Sequence, residues 1–194
     1  MKNGRPIRLA LVDNDRCSAE MMALLIGRTI PEAHMLWVTD NPSLALERCL
    51  FDPRKPDILI CDLMMDGLNG VRLTERIRQR NVQVGVIVVT SYDLATYGED
   101  IACCGAQALI SKRDFAATIR EAVKSVFDGG TYPHGWGLHS LEETLHTVDA
   151  AQPEADGARL FSDRELAVLR LYAHRVPTVE IARRLGIGVE TVYS

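Results

Sequence analysis

Four short apolar runs in this chain end in residues that can handle a metal ion or a phosphate. Ile7–Val12 is followed by Asp13-Asn14-Asp15, and Asp57–Cys61 by Asp62. Val84–Val89 leads into Thr90-Ser91, and Ala106–Ile110 into Ser111-Lys112. Carboxylates from two strands can hold Mg²⁺, which prefers oxygen ligands and keeps several waters. A further carboxylate can attack phosphorus as a nucleophile. A hydroxyl and an ammonium can then take the phosphoryl oxygens. One aspartate at a strand end is commonly only a turn former or a helix cap; four such strand ends together point to phosphoryl chemistry.

Those runs must be parallel strands for the four ends to meet. Each is apolar at nearly every position, as suits strands covered on both faces. His34–Val38 is a fifth, weaker run. Helical patterns lie between them: Ala19–Ile30, Pro42–Leu50, Val71–Arg80, Asp93–Cys104 and Asp114–Phe127. Asn41-Pro42 and Asp114 are suited to open their helices. Five β-α repeats predict an α/β fold, a five-stranded doubly wound parallel sheet with helices on both sides. In such sheets ligands bind beyond the carboxyl ends of the strands.

The rest of the chain has a different character. Residues 129–158 carry Gly129-Gly130, Pro133, Gly135, Gly137, Pro153 and Gly157, which break long elements. Leu138–Val148 has room for one short helix. Helical patterning returns after residue 158. Ser162-Asp163-Arg164-Glu165 has the form of a capping box, Pro177-Thr178 restarts a second helix, and Val189–Tyr193 begins a third. The predicted units are therefore 1–128, an acidic linker at 129–158, and a small all-α piece at 159–194.

Charge follows the same division. Residues 1–128 hold 16 Lys and Arg against 17 Asp and Glu; 129–158 hold none against 5; 159–194 hold 6 against 4. The total of −4 gives no general support for nucleic-acid binding, and only the last piece leans basic. With 47 % hydrophobic and 25 % charged residues, disorder over most of the length and fibrous architectures are excluded. No run approaches the ~20 apolar residues that span a bilayer, and the first residues lack the apolar core of a secretory signal. A cytoplasmic, non-membrane protein is expected. Five cysteines without Cys-x-x-Cys spacing argue against a disulfide framework or a zinc site.

The first unit resembles the receiver domain of two-component response regulators. The resemblance is carried by L-V-D-N-D at 11–15, I-C-D-L-M-M-D-G-L-N-G at 60–70, V-V-T-S at 88–91 and G-A-Q-A-L-I-S-K at 105–112. It implies that Asp62 accepts a phosphoryl group from a sensor histidine kinase. It also implies Mg²⁺ held by Asp13, Asp62 and the Met64 backbone carbonyl, and a phosphoryl group contacted by Thr90 and Lys112. Three positions depart from the family pattern. The second of two adjacent acids is Asn14, with an acid displaced to Asp15; the usual Pro is Asp66; the usual aromatic three positions before the lysine is Leu109. An amide lacks charge, so Mg²⁺ affinity should fall unless Asp15 substitutes.

The last unit resembles the start of a LuxR/NarL-type helix-turn-helix domain. Ser162, Arg164, Glu165, Val168, Leu169, Leu171 and Ala173 fit its first pattern; Glu180, Ile181, Ala182, Leu185, Ile187, Thr191 and Val192 fit its second. The turn Arg175-Val176-Pro177-Thr178 replaces the usual Gly-led one and brings the piece nearer an RcsB-like branch. The resemblance implies a recognition helix from about Val189, with Glu190, Thr191, Tyr193 and Ser194 as first base contacts and Arg183 and Arg184 on phosphates. Most of that helix is expected to lie beyond Ser194. A DNA-binding, homodimeric transcriptional regulator is implied, with dimer contacts on the first and fifth helices and no enzymatic activity. Two alternatives remain open. One is a receiver-like regulator that works without phosphorylation. The other is a haloacid-dehalogenase-type phosphatase with Asp13 as nucleophile and Asp15 as acid/base.

Overall fold

The computed structural model describes residues 5–80, 83–151 and 162–193. Five β-α pairs come first: β1 (Ile7–Val12), α1 (Arg16–Thr29), β2 (Ala33–Thr39), α2 (Pro42–Phe51), β3 (Ile58–Asp62), α3 (Gly70–Arg78), β4 (Gly85–Thr90), α4 (Leu94–Cys103), β5 (Ala108–Ser111) and α5 (Phe115–Phe127). The sheet is parallel throughout, in the order β2-β1-β3-β4-β5. This is the doubly wound sheet expected from the sequence.

Strand alternation divides the core into two layers. Leu9, Leu11, Ile58, Ile60, Ile87 and Val89 pack against Ala19, Met22 and Ile26 of α1 and Ile119, Ala122 and Val123 of α5. Ala10, Val12, Leu59, Cys61, Val86 and Val88 face the other way, onto Leu46 of α2, Leu73 and Ile77 of α3 and Ile101 of α4. The strands therefore read as continuous apolar runs because both faces are covered.

At the amino ends of the strands, Asp57 ties β1 to β3. It accepts from the Arg8 backbone N–H at 2.9 Å, from the Arg8 guanidinium at 2.8 Å and from Arg5 at 3.0 Å. Burial pushes its carboxyl up, but these donors outweigh burial and hold it below the usual carboxylate value. A depressed folded value means that the stabilisation is present in full above the unfolded value near ~4 and is lost as pH falls through the lower folded one. Asp57→Asn is therefore expected to cost about 1–2 kcal/mol at neutral pH, a deficit that narrows in urea titrations near about pH 3. A deficit unchanged by pH would count against the ion pairs.

The chain after α5 does not leave the body at once. Tyr132 donates its backbone N–H to Gln107 and accepts from Leu109 N–H, each at 3.0 Å, so it adds one residue to the free edge of β5. The Trp136 ring lies against Gly98 of α4. The next helix, α6 (Leu141–Ala151), begins with reciprocal Ser140–Glu143 hydrogen bonds and buries Thr144. The predicted short helix in the linker thus exists, and it docks on the receiver-like body. Residues 152–161, the rest of the predicted linker and the start of the third unit, lie outside the described residues.

Three helices follow: α7 (Asp163–Ala173), α8 (Thr178–Leu185) and α9 (Val189–Tyr193). The Ser162–Glu165 capping box forms as expected. Between α7 and α8, Arg175 adopts a φ of 58°, the left-handed conformation a glycine would take without strain. Ile181, Ala182 and Val192 form a small core of their own. Helix α7 also packs on α2, and Leu169 joins the core layer beneath it. Asn41 Nδ2 donates to the Tyr172 carbonyl at 3.0 Å, and Arg175 pairs with Asp40.

Candidate acidic phosphoacceptor site

The strand register brings the ends of β1, β3, β4 and β5 to one rim. Val12 pairs with Cys61, Asp62 with Val89, and Thr90 with Ser111. Asp13 is fully buried there, Asp62 is 6 % exposed and Thr90 is fully buried. Lys112 reaches back across the rim, Nζ 2.7 Å from Asp13 Oδ2 and 3.1 Å from Asp62 Oδ1. Its backbone N–H donates to the Thr90 carbonyl at 2.8 Å. Thr90 Oγ1 accepts from the Tyr92 N–H at 3.0 Å.

Electrostatics set Asp62 apart from a surface carboxylate. Burial pushes the Asp62 carboxyl up; Lys112 pulls it back; the like charge of Asp13 adds to the rise, and the net value is raised. Burial works against the Lys112 ammonium, yet Asp13 and Asp62 outweigh it and raise its value. Lys112 is therefore a cation at neutral pH, held between two acids in a poorly solvated cleft. The nearby Met64 backbone also pulls the Asp62 carboxyl down, while the Met64 side chain is exposed.

Of the other expected ligands, Asp15 is turned to a different task. Asn14 is exposed. Asp15 is exposed and is the N-cap of α1, its Oδ1 accepting from the Cys17 N–H at 3.0 Å. That cap is why α1 begins at Arg16, three residues before the helix expected from apolar periodicity. Asp13 is also heavily engaged: Oδ1 accepts from the Asp15 N–H at 2.9 Å, and Oδ2 accepts from Ser18 Oγ at 2.8 Å as well as from Lys112. Among the described residues no group of three acidic, histidine or cysteine side chains is placed to hold a metal. Two carboxylates with waters nevertheless suit Mg²⁺ chemically, so Asp13 and Asp62 fit the ion once Lys112 shifts. A nucleophilic Asp13, as the phosphatase alternative needs, has little support: its carboxylate is buried and already takes three hydrogen bonds, and Asp15 caps a helix.

In α8, Arg183 and Arg184 are exposed, and both pair with Glu180, at 2.7 Å each. Their hydrogen bonds hold the Glu180 carboxyl down at about 2. Thr191 and Val192 of α9 border a cavity of about 700 Å³ between the helical piece and the receiver-like body, whose far wall includes Asp66 and Leu68 of the loop after Asp62. The side chains of Glu190 and Tyr193, and Ser194 altogether, lie outside the described residues. Of the cysteines, Cys49, Cys61 and Cys104 are buried, while Cys17 and Cys103 are exposed. Two buried or pocket-facing contacts are not marked by the sequence motifs, that of Ser18 at the acid pocket and that of Arg78 beneath α6. Arg78 follows Thr74 by four residues and so shares its buried helix face, a signal that was available; Ser18 carried none.

An all-parallel 2-1-3-4-5 sheet with a buried Asp-Asp-Lys cluster at its carboxyl rim defines a receiver-type protein, and residues 9–124 match the response regulator receiver domain family. The chain belongs to that family, and its relatives are response regulators of the LuxR/NarL type. It is 28 % identical over 202 residues to the transcriptional regulatory protein DegU of Brevibacillus brevis, covering 98 % of this chain and 84 % of that protein. It is 33 % identical over 141 residues to the oxygen regulatory protein NreC of Staphylococcus carnosus, covering 71 % of this chain and 65 % of NreC. In fold it is similar to the RcsB response regulator of Salmonella typhimurium, with a TM-score of 0.59 and 17 % identity over 97 % of this chain and 87 % of that one. A LuxR-family response regulator from Aurantimonas sp. SI85-9A1 gives a TM-score of 0.61 at 21 % identity, over 73 % of this chain and 97 % of that one. Phosphorylation by histidine kinases, Mg²⁺ binding at the acidic pocket and DNA binding are typical of the family, whose members are generally not enzymes. No described helix is long and apolar enough to cross a membrane.

Proposed function

We propose that this chain is a phosphorylation-controlled transcriptional regulator of the cytoplasm in which Asp62 takes a phosphoryl group from a sensor histidine kinase. The observation that carries this reading is the Asp13–Lys112–Asp62 contact at the carboxyl rim of the sheet. An Asp62 oxygen attacks phosphorus as the bond to the donor imidazole breaks, and the imidazole leaves with the bonding electrons and takes up a proton. Lys112 is positioned to follow the new phosphoryl oxygens, and the Thr90 hydroxyl lies at the adjacent strand end. Mg²⁺, when bound by Asp13 and Asp62, would supply further positive charge to those oxygens; with an uncharged amide at Asn14 and with Asp15 engaged as a helix cap, its affinity is weakened.

Residues 1–128 act as the receiver, 129–158 as the linker and 159–194 as the opening part of the DNA-binding domain. Arg183 and Arg184 must exchange Glu180 for phosphates to bind DNA, and Glu190, Thr191, Tyr193 and Ser194 start the recognition helix. The change at Asp62 reaches them through the loop at Asp66 and Leu68 and the α2–α7 contact. Homodimerisation through the α1 side is supported by Met21 and Leu24, which are 60 % and 53 % exposed.

A second reading, regulation without phosphorylation, is favoured by Asn14 and by the three hydrogen bonds already made to Asp13. Incubation with acetyl phosphate and Mg²⁺, followed by intact-mass spectrometry, separates the two. The first reading expects one added phosphoryl group, absent in Asp62→Ala and retained in Asp15→Ala. An unlabelled wild-type chain at millimolar Mg²⁺ sinks it and leaves the second.

A further inference from the structure

We infer that Ser18 is a positioning residue that controls access of a divalent cation to the acid pocket. The inference rests on reading Asp13 and Asp62 as that pocket, and it adds a residue outside every matched motif. Asp13 Oδ2 carries two short contacts, Ser18 Oγ at 2.8 Å and Lys112 Nζ at 2.7 Å, while Oδ1 is held by the Asp15 backbone. Oδ2 thereby has both its acceptor sites occupied, and Lys112, bridging to Asp62, supplies part of the positive charge that a divalent ion would otherwise bring. A metal can use Asp13 Oδ2, the oxygen on the Lys112 side, only by displacing one of these two partners, and displacing Lys112 also strips Asp62 of its counter-charge.

Ser18 makes that displacement harder. It sits one turn into α1, partly exposed, where it fixes the orientation of the Asp13 carboxylate against Lys112. Its hydroxyl donates to a charged acceptor, the stronger kind of neutral-to-ion hydrogen bond. The pocket therefore rests as an internally paired Asp-Lys-Asp cluster, and Ser18 holds it there. Loss of the hydroxyl frees one lone pair of Asp13 for a cation.

Mn²⁺ titration of the full chain, read by the EPR signal of the free ion, with Mg²⁺ as competitor and no phosphodonor present, tests this. Ser18→Ala, a good helix former at a partly exposed position, is expected to bind Mn²⁺ roughly tenfold more tightly than the parent chain. Ser18→Thr, which keeps the hydroxyl, should return to the parent affinity. Unchanged or weaker binding by Ser18→Ala overturns the inference, as does an equal gain in both variants. Because no phosphoryl donor is present, either result leaves the acetyl phosphate experiment on Asp62 to be decided separately.

Discussion

Arg78→Ala should cost about 3–5 kcal/mol of unfolding free energy, read as a lowered urea midpoint, although the residue lies far from the acid pocket. Arg78 is 3 % exposed at the end of α3. Its guanidinium donates to the Gly105 carbonyl at 2.9 Å, to the Val84 carbonyl at 2.8 Å and to Gln107 Oε1 at 2.7 Å. Burial lowers its value to about 10, which still leaves it charged at neutral pH. Truncation leaves these buried acceptors without that donor as well as a void, and each loss is costly in a poorly solvated site. Arg78→Lys should recover less than half, because a single ammonium cannot replace a three-pronged fork. The linker should loosen as well. Gln107 Nε2 lies 3.5 Å from Thr144 Oγ1 of α6, and a Cβ on Gly105 would meet Thr144 at 2.7 Å, so α6 rests directly on this hub. Limited proteolysis between residues 130 and 150 should therefore accelerate in Arg78→Ala. A parent-like urea midpoint would mean that the fork is dispensable.

The contrast between what could and could not be read from sequence follows from the range of each interaction. Strand identity came from runs such as Val84–Val89, because burial on both faces leaves an unbroken apolar signature. The convergence of Asp13, Asp62, Thr90 and Lys112 followed from that, since parallel strands put their carboxyl ends on one side. Side-chain choices within a turn did not follow. Asp15 was open to ligation or capping, and the backbone N–H of Cys17, two residues away, captures it. Asp114 shows the reverse: it stands at the N-cap of α5, yet its side chain makes no capping hydrogen bond. Ser18 could not be singled out, because its contact with Asp13 depends on the angle at which α1 leaves β1. The docking of Tyr132 on β5 and of Thr144 on Gln107 joins segments distant in sequence, and neither the glycine-rich stretch around Tyr132 nor the short helical pattern at Leu138–Val148 carries a signal for its partner.

Gly70→Ala is expected to cost about 2–3 kcal/mol and to slow phosphoryl labelling of Asp62 by tenfold or more. Gly70 opens α3, where the chain returns over the acid pocket after the Asp66–Asn69 loop. Its N–H donates to the Leu63 carbonyl at 2.9 Å. A Cβ there would lie 2.6 Å from the Asp62 carbonyl oxygen and 3.0 Å from Leu63 Cα. Both obstacles are backbone, so no side chain can swing aside; α3 or the end of β3 must move. Movement of α3 strains the packing of Leu73 and Ile77, which are fully buried in the layer above β3. Movement of β3 displaces Asp62 from Lys112, and shifts of about an ångström at a reacting group are enough for losses of that size. Thermal melting and the rate of acetyl phosphate labelling together check the expectation. A Gly70→Ala chain that melts like the parent but labels slowly places the effect on Asp62 alone. One that melts and labels like the parent shows that the close approach of α3 to β3 does not constrain the site.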